Sequence, residues 1–426
     1  MECLIRDGLP AVPAAWWTPA AAVAAVVAFL YYVLRVPVNW TKELCDVGFD
    51  PPDRGLGLGF GLGASRRSRS AVMRQAQGKR RIGNLPPVFP NGWFSVLESS
   101  RLGRGAVEHV AALGQNLAVF RGDAGHVHVL DAYCPHMGAN MAVGGRVHGD
   151  CLECPFHEWS FDGRDGSCSS VPYAQKALTG NLLQLAVPDF ARVRHWESFE
   201  TNGFIFVWHH AEGDAPSWWP QPVAAIEDGS WAFVGRNEFL VSCHIQEIPE
   251  NGADVAHLNA VHGPGMVGRG LSRHLWDAQW TPGADDRPHT ATLKLNHQLD
   301  LFGKFRMLKM DVCANQIGPG YVEMSMETQF GPIIIVQSVT PVEPLLQKVI
   351  HRMYCPPLLV PYAKIVLYGE CVMFERDVLV WNHKQFQDKP LLVKEDRLIS
   401  RYRRWFSQFY SENSPKHAFR KETMEW

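Results

Sequence analysis

The sequence predicts an α+β protein in three parts: an N-terminal transmembrane helix, a small all-β domain, and a larger α+β domain with an antiparallel sheet and helices. Three observations lead to this. No Asp, Glu, Lys or Arg occurs between Asp7 and Arg35. From Pro90 to about His210, short apolar runs such as Leu117-Ala118-Val119-Phe120 and Phe204-Ile205-Phe206-Val207-Trp208 are punctuated by Gly, Pro and Asp, the pattern of short strands between turns. From Ala211 to Trp426, strand-like runs such as Ile333 to Val336 mix with helical segments, one of which is expected to hold Glu250 to His262.

The apolar run from Ala14 to Leu34 carries Trp16, Trp17, Tyr31 and Tyr32 near its ends, the ring types favoured at membrane interfaces. As a helix it matches a bilayer core of about 30 Å. A cleaved leader would be shorter and follow a positive segment, whereas only Arg6 precedes this run. Residues 1–13 are therefore expected to be a tail and 14–36 a single-pass anchor. Eight basic residues lie between Arg54 and Arg81, with no acid until Glu98. By the positive-inside rule the rest of the chain faces the cytosol. Residues 37–88 are expected to be a basic, Gly-rich linker, with a flexible tether from Gly48 to Ser70. The glycines of Gly55 to Gly61 are not a phosphate loop, because no Lys-Ser/Thr pair follows.

A net charge of -2, from 41 basic and 43 acidic side chains, gives no bulk attraction to nucleic acid, and none is expected as a partner. Ten irregularly spaced cysteines without a secretory leader suggest a metal site plus buried thiols rather than a disulfide framework.

Within the all-β domain, expected over 89–210, two segments stand out: Cys134-Pro135-His136-Met137-Gly138 and Cys154-Pro155-Phe156-His157-Glu158-Trp159. Together they read C-x-H-x17-C-x2-H. Each delivers one thiolate and one imidazole from a tight loop. Two such loops close around a [2Fe-2S] cluster with both cysteines on one iron and both histidines on the other, the Rieske division. A structural zinc accepts the same donors but usually pairs Cys with Cys and His with His. Respiratory Rieske proteins place an extra cysteine in each loop; here Ala139 and Phe156 occupy those places, and Cys151 and Cys168 are expected to be inert thiols.

Residues 211–426 are expected to form the catalytic domain. Glu250 to His262 reads E-x3-D-x2-H-x4-H, and His257 and His262 reach one side of a helix if it widens or frays. Two histidines and one carboxylate leave open positions on a mononuclear Fe(2+) for dioxygen and substrate. Asp377 is the expected carboxylate, with Glu375 and Glu370 as competitors. Asp254, three residues before His257, is expected to hydrogen-bond that imidazole and to relay electrons.

These motifs resemble the Rieske non-haem iron oxygenases from Pro90 to Trp381. With the anchor, the Asn91-Gly92-Trp93-Phe94 entry and the Glu250-Asn251-Gly252-Ala253-Asp254 lead, they look closest to the Neverland-type cholesterol 7-desaturases, with bacterial 3-ketosteroid hydroxylases more distant. The resemblance implies a homotrimer in which the residue at Asp254 bridges one subunit's cluster histidine to the next subunit's iron. It implies electrons from NAD(P)H through a reductase, a sterol substrate and an endoplasmic reticulum membrane. It also implies conversion of cholesterol to 7-dehydrocholesterol. Two rival readings stay open: a steroid or lipid hydroxylase with the same metals, and a non-catalytic electron carrier or zinc module.

Overall fold

The uncharged N-terminal stretch forms one 22-residue helix, α1 (Ala14–Arg35), about 33 Å long at a helical rise. The structure, a computed structural model, describes residues 14–47, 82–174, 176–179, 182–185, 187–265 and 272–417. Along α1 the large apolar side chains from Val23 to Leu34 stand exposed, Val33 excepted. Its C-terminal end is fastened to the fold, where the Lys364 ammonium donates to the carbonyls of Tyr32 (3.0 Å) and Val36 (2.7 Å). A cation at this end satisfies acceptors that the helix leaves open.

The chain then enters β1 (Val38–Lys42), which pairs in parallel with a strand of the catalytic domain. This corrects the expectation that all of 37–88 is a linker. Val38, Trp40 and Lys42 turn inward while Asn39 and Thr41 face out, the period-two pattern of a strand. Cys45 and Val47 are buried, and so is Val88, whose N–H donates to the Pro415 carbonyl at 2.8 Å. The tether expected from Gly48 to Ser70 lies outside the described residues.

Short strands make up the next part: β2 (Gly92–Glu98), β3 (Val107–Ala112), β4 (Gln115–Arg121), β5 (Val127–Asp131), β6 (Arg146–His148), β7 (Cys151–Glu153), β8 (Ser160–Asp162), β9 (Cys168–Ser170), β10 (Lys176–Thr179), β11 (Leu182–Leu185), β12 (His195–Trp196), β13 (Ser198–Thr201) and β14 (Phe204–His209). They pair antiparallel in the orders β12-β5-β4-β3, β13-β14-β2, β6-β7-β8-β9 and β10-β11. Strand β4 is buried on both faces, which is why it reads as an unbroken apolar run. Its Leu117 and Val119 join a core that continues into Phe239, Val339 and Val349, while Ala118 and Phe120 join the core beneath Cys134 and Cys154.

The remainder contains α2 (Ala224–Glu227), β15 (Ala232–Val241), α3 (Glu247–Glu250), α4 (Val255–Val261), β16 (Ser272–Pro282), β17 (Thr290–Leu301), β18 (Phe305–Ile317), β19 (Tyr321–Thr328), β20 (Gly331–Glu343), β21 (Leu346–Cys355), α5 (Val360–Trp381) and α6 (Arg397–Phe406). Its sheet runs β1-β15-β21-β20-β19-β18-β17-β16, antiparallel except for β1. Register sets Met310, Val312, Ala314 and Gln316 of β18 against Thr328, Met326, Met324 and Val322 of β19, so one apolar face extends along the sheet. Helix α5 lies against β15 and β21, burying Val360, Ala363, Leu367, Cys371 and Val378. That spacing is one helical stripe. By length and composition the segment Pro357–Trp381 would also pass as a membrane span; in the fold its buried stripe packs on the sheet while Ile365, Tyr368, Leu379 and Val380 stay exposed. The segment from Glu250 to His262, expected as one helix, is two, broken between α3 and α4 where Asp254 starts a new cap.

The two halves meet through buried polar contacts. Thr340 donates to the Ser95 carbonyl (2.6 Å), Glu98 pairs with Arg236 (2.9 Å) and Arg352, and Asn202 Nδ2 donates to the Tyr321 hydroxyl (2.9 Å). Beside Tyr321, burial pushes the Glu323 carboxyl up to about 7 from 4.5. A raised acid pKa means that the folded state holds the proton more tightly than the unfolded chain. The stability linked to Glu323 is therefore full below about pH 4.5 and is lost as pH rises through about 7. We predict that Glu323→Gln flattens this decline, read as a smaller loss of thermal midpoint between about pH 5 and about pH 8.

Candidate metal centres

Two loops of equal length face each other at the tip of the small domain. The first, residues 134–139, is closed by the Tyr133↔Asn140 bridge; the second, 154–159, by the Glu153↔Ser160 pair of the β7–β8 hairpin. Both make the same backbone bonds. The Cys134 N–H donates to the Ala139 carbonyl and the Gly138 N–H to the Cys134 carbonyl, each at 2.9 Å. In the other loop the Cys154 N–H donates to Trp159 (2.8 Å) and the Glu158 N–H to Cys154 (3.0 Å). Each loop turns on a left-handed residue, Gly138 at φ 74° and Glu158 at φ 57°. Glu158 lacks the freedom of glycine, so the turn holds it against a steric cost.

This geometry buries both thiols and leaves both imidazoles near the surface. The two thiols lie within hydrogen-bond reach, and burial, with the neighbouring Cys154, pushes the Cys134 thiol up to about 11. A cation between them reverses that penalty, because a coordinated thiol is deprotonated. The rings of His136 and His157 lie 4.7 Å apart, and His136 stacks on Trp159 at 4.6 Å. Its Nδ1 is buried without a partner. The donors fit a two-iron cluster. Exposed Tyr133, Met137, Phe156 and Tyr173 surround the tip. Cys151 and Cys168 sit on β7 and β9, outside these loops, with separate partners in Ser169 and the Ser170 carbonyl.

The second group forms where α4 ends against α5. His257 lies within α4 and His262 is its C-cap, so the five-residue spacing is met at a helix end. Asp377 reaches in from α5, with its Oδ2 at 3.2 Å from His262 Nε2. Ligand atoms of His257, His262 and Asp377 all lie within 4.8 Å of one another, a donor set that suits ferrous iron. The competing acids turn elsewhere: Glu370 pairs with His351 (2.8 Å) and bonds Asn237, while Glu375 pairs with Lys42 (3.1 Å).

Asp254 departs from its expected role within the chain. Its carboxylate caps α4 by accepting the His257 backbone N–H (3.2 Å), and its carbonyl, rather than its carboxylate, meets His257 Nδ1. The reason is that an acid three residues before a histidine is also the N-cap position, which backbone donors occupy first. The three donors stand in the wall of a cavity between the sheet and the helices. Its lining includes Leu293, Val322, Met324, Phe374 and Trp381, with Asn251, Gln316 and Gln337 as its amides.

Residues 92–191 match the Rieske [2Fe-2S] domain, and residues 207–410 match the 3-ketosteroid 9alpha-hydroxylase C-terminal domain. The chain is 46% identical over 409 residues to cholesterol 7-desaturase nvd of Xenopus laevis, covering 92% of this chain and 85% of that protein. It is 42% identical over 397 residues to cholesterol 7-desaturase nvd of Drosophila melanogaster, covering 90% and 89%. The chain belongs to the cholesterol 7-desaturase family. The fold of this cholesterol 7-desaturase homologue is that of dicamba monooxygenase, at TM-score 0.57 and 17% identity over 75% of this chain and 97% of that one. The Rieske match places a [2Fe-2S] domain around the paired Cys/His loops, and His257, His262 and Asp377 supply a separate donor set that suits one further iron.

Two arrangements around the histidines escaped sequence reasoning in this cholesterol 7-desaturase homologue. His274 Nδ1 and His297 Nε2 share a hydrogen bond of 2.7 Å beside Trp276, whose ring lies 6.4 Å from that of His262. Burial, then His274, pushes His297 down to about 4, so the pair is neutral near pH 7. The available signal was the cross-strand pairing of Trp276 with His297, which requires the register of β16 and β17. Second, Glu250, which opens the histidine motif, is held by one edge of the Arg403 guanidinium from α6, through Nε (2.7 Å) and Nη2 (2.9 Å). Breaking one side of a buried pair costs about 3–5 kcal/mol, whereas apolar replacement of both is often close to neutral. Arg403→Met is therefore expected to destabilise the chain by several times more than Glu250→Leu with Arg403→Met, as measured by chemical denaturation.

Proposed function

We propose that this chain is a membrane-anchored Rieske oxygenase that converts cholesterol to 7-dehydrocholesterol. The grouping of His257, His262 and Asp377 in the wall of an apolar cavity, in a chain that also holds the paired Cys/His loops, supports this reading. In it, Cys134, His136, Cys154 and His157 bind the cluster within a domain spanning 89–210. His257, His262 and Asp377 bind the mononuclear iron within a catalytic domain spanning 211–426. An electron carrier alone has no use for three further donors around an apolar cavity.

When bound, the mononuclear iron supplies dioxygen activation and hydrogen abstraction from the sterol. The protein's part is placement. Leu293, Val322, Met324, Phe374 and Trp381 exclude water and hold the rings, and the cavity amides offer partners for the single hydroxyl. The sterol surrenders one hydrogen each at C7 and C8. With two electrons from NAD(P)H through a reductase, and two protons that balance as the one released from NAD(P)H and one from solvent, these reduce dioxygen to two waters.

The electron path proposed for Asp254 runs between subunits of a homotrimer. Asp254 lines a surface pocket with Glu395, Asp396 and Ile399, on the outer side of the helix that holds His257. A neighbour's His136 or His157 would reach the carboxylate there, and the exposed apolar ring around the cluster tip suits such docking. We place α1 in the endoplasmic reticulum membrane with the catalytic part in the cytosol, next to the bilayer in which the sterol dissolves.

The test is the full chain with cholesterol, a ferredoxin-type reductase, NADPH and dioxygen, followed by ultraviolet absorption of the conjugated diene. A diene that falls at least about 100-fold in His257→Ala is the expected result. Oxygen label in the sterol without a diene would overturn desaturation in favour of hydroxylation. Asp377→Ala is expected to hold about two irons per chain against about three, with the acid-labile sulfide unchanged.

A further inference from the structure

Strand register gathers several separate segments at one end of the catalytic sheet. Val38 opens β1 opposite Gly235, and Ala232 faces Cys355, so the exit of α1 and the entrance of α5 lie toward the same end. The Thr328↔Gly331 pair closes the β19–β20 turn there, and Leu301↔Phe305 closes the β17–β18 turn. From β1 to the β17–β18 hairpin the sheet order counts between five and six strand spacings, roughly 25 Å.

This end is apolar where a water-facing edge would be polar. Leu358 is 96% exposed, Phe305 61% and Phe302 60%, with Met307 and Phe330 exposed beside them. Phe302 and Gly303 take φ of 57° and 67°, and the Lys304 N–H donates to the Leu301 carbonyl (3.1 Å), which makes a type I′ turn. That turn ordinarily takes Asn or Gly first, so Phe302 meets a conformational cost without gaining burial. Lys304 and Arg306 alternate with these rings. At the opposite end of the same strands, the β16–β17 connection exposes the charged run Asp285, Asp286 and Arg287 instead, with no large apolar tip.

We propose that this end of the sheet is a docking edge for a lipid bilayer. Aromatic and aliphatic tips with interleaved cations are the chemistry of the membrane interface, and the cations Lys304 and Arg306 suit anionic headgroups. The proposal rests on the reading of α1 as a membrane anchor. Lys364 and β1 attach that anchor to the sheet without a flexible tether, so inserting α1 brings this edge to the lipid surface. The Met310–Met326 side of the sheet face, continuous with Met324 and Val322 in the cavity wall, then starts at the bilayer.

The experiment uses the full chain in phosphatidylcholine vesicles containing phosphatidylserine and radiolabelled cholesterol. A photoreactive p-benzoylphenylalanine replaces Phe305, Leu358, Val26 or Asp285 in turn, with iron and sulfide content as the check on folding. Lipid adducts at 305 and 358 about tenfold above those at 285, together with adducts at 26, are the expected result. Adducts at 26 alone overturn the docking edge and leave the anchor intact. Absence of lipid adducts at 26, 305 and 358 overturns both. Protein–protein adducts in place of lipid ones at 305 and 358 assign the edge to another copy of the chain and also overturn the proposal.

Discussion

The contact of Asp377 with His262 exists because α5 lies along β15 and β21 at a fixed rotation. Turning by about 100° per residue, the helix sends its acids in different directions: Glu370 to His351, Glu375 to Lys42, Asp377 to the end of α4. Next to Asp377, Arg376 donates to the carbonyls of Val261 (3.1 Å) and Pro264 (2.9 Å), bracketing His262. The loose end of α4 is thus held from outside. One packed helix supplies a donor for the metal group and the clamp on another, and its first turns also bear Lys364, to which α1 is fastened.

The small domain solves the corresponding problem with backbone bonds. Its two loops repeat one closure, and their cysteines stand over a core shared with Phe120, Leu130, Leu152 and Phe161. That core abuts a second one running through β4 into the catalytic sheet. Tip, strand and sheet are therefore one packed body, and the polar contacts of Glu98, Asn202 and Thr340 fix the angle between its halves.

What was legible in the sequence was local. The paired Cys/His segments and the His257/His262 spacing are short-range patterns, and the structure brings each set together at the distances given above. Asp377 lies more than a hundred residues from the histidines, so it was separable from Glu370 and Glu375 only through the rotation of α5. The pairing of β1 with β15, the Trp276–His274–His297 cluster and the grip of Arg403 on Glu250 depend on strand order and register, which arise from non-local packing. The bond expected from the Asp254 carboxylate to the His257 ring is absent within the chain for a local reason: an acid at that offset serves equally as a helix cap, and its carboxylate accepts the His257 backbone N–H.

Helix α5 also sets a length scale. Lys364 and Asp377 are thirteen positions apart on one uninterrupted helix, about 20 Å along its axis. Adding or removing a single residue between them would swing Asp377 by about 100° and take it off His262. Only changes close to whole numbers of turns, such as seven residues for about two turns and about 10.5 Å, preserve both ends. The separation between the α1 attachment and the donor group therefore changes only in discrete steps, never by a small continuous slide.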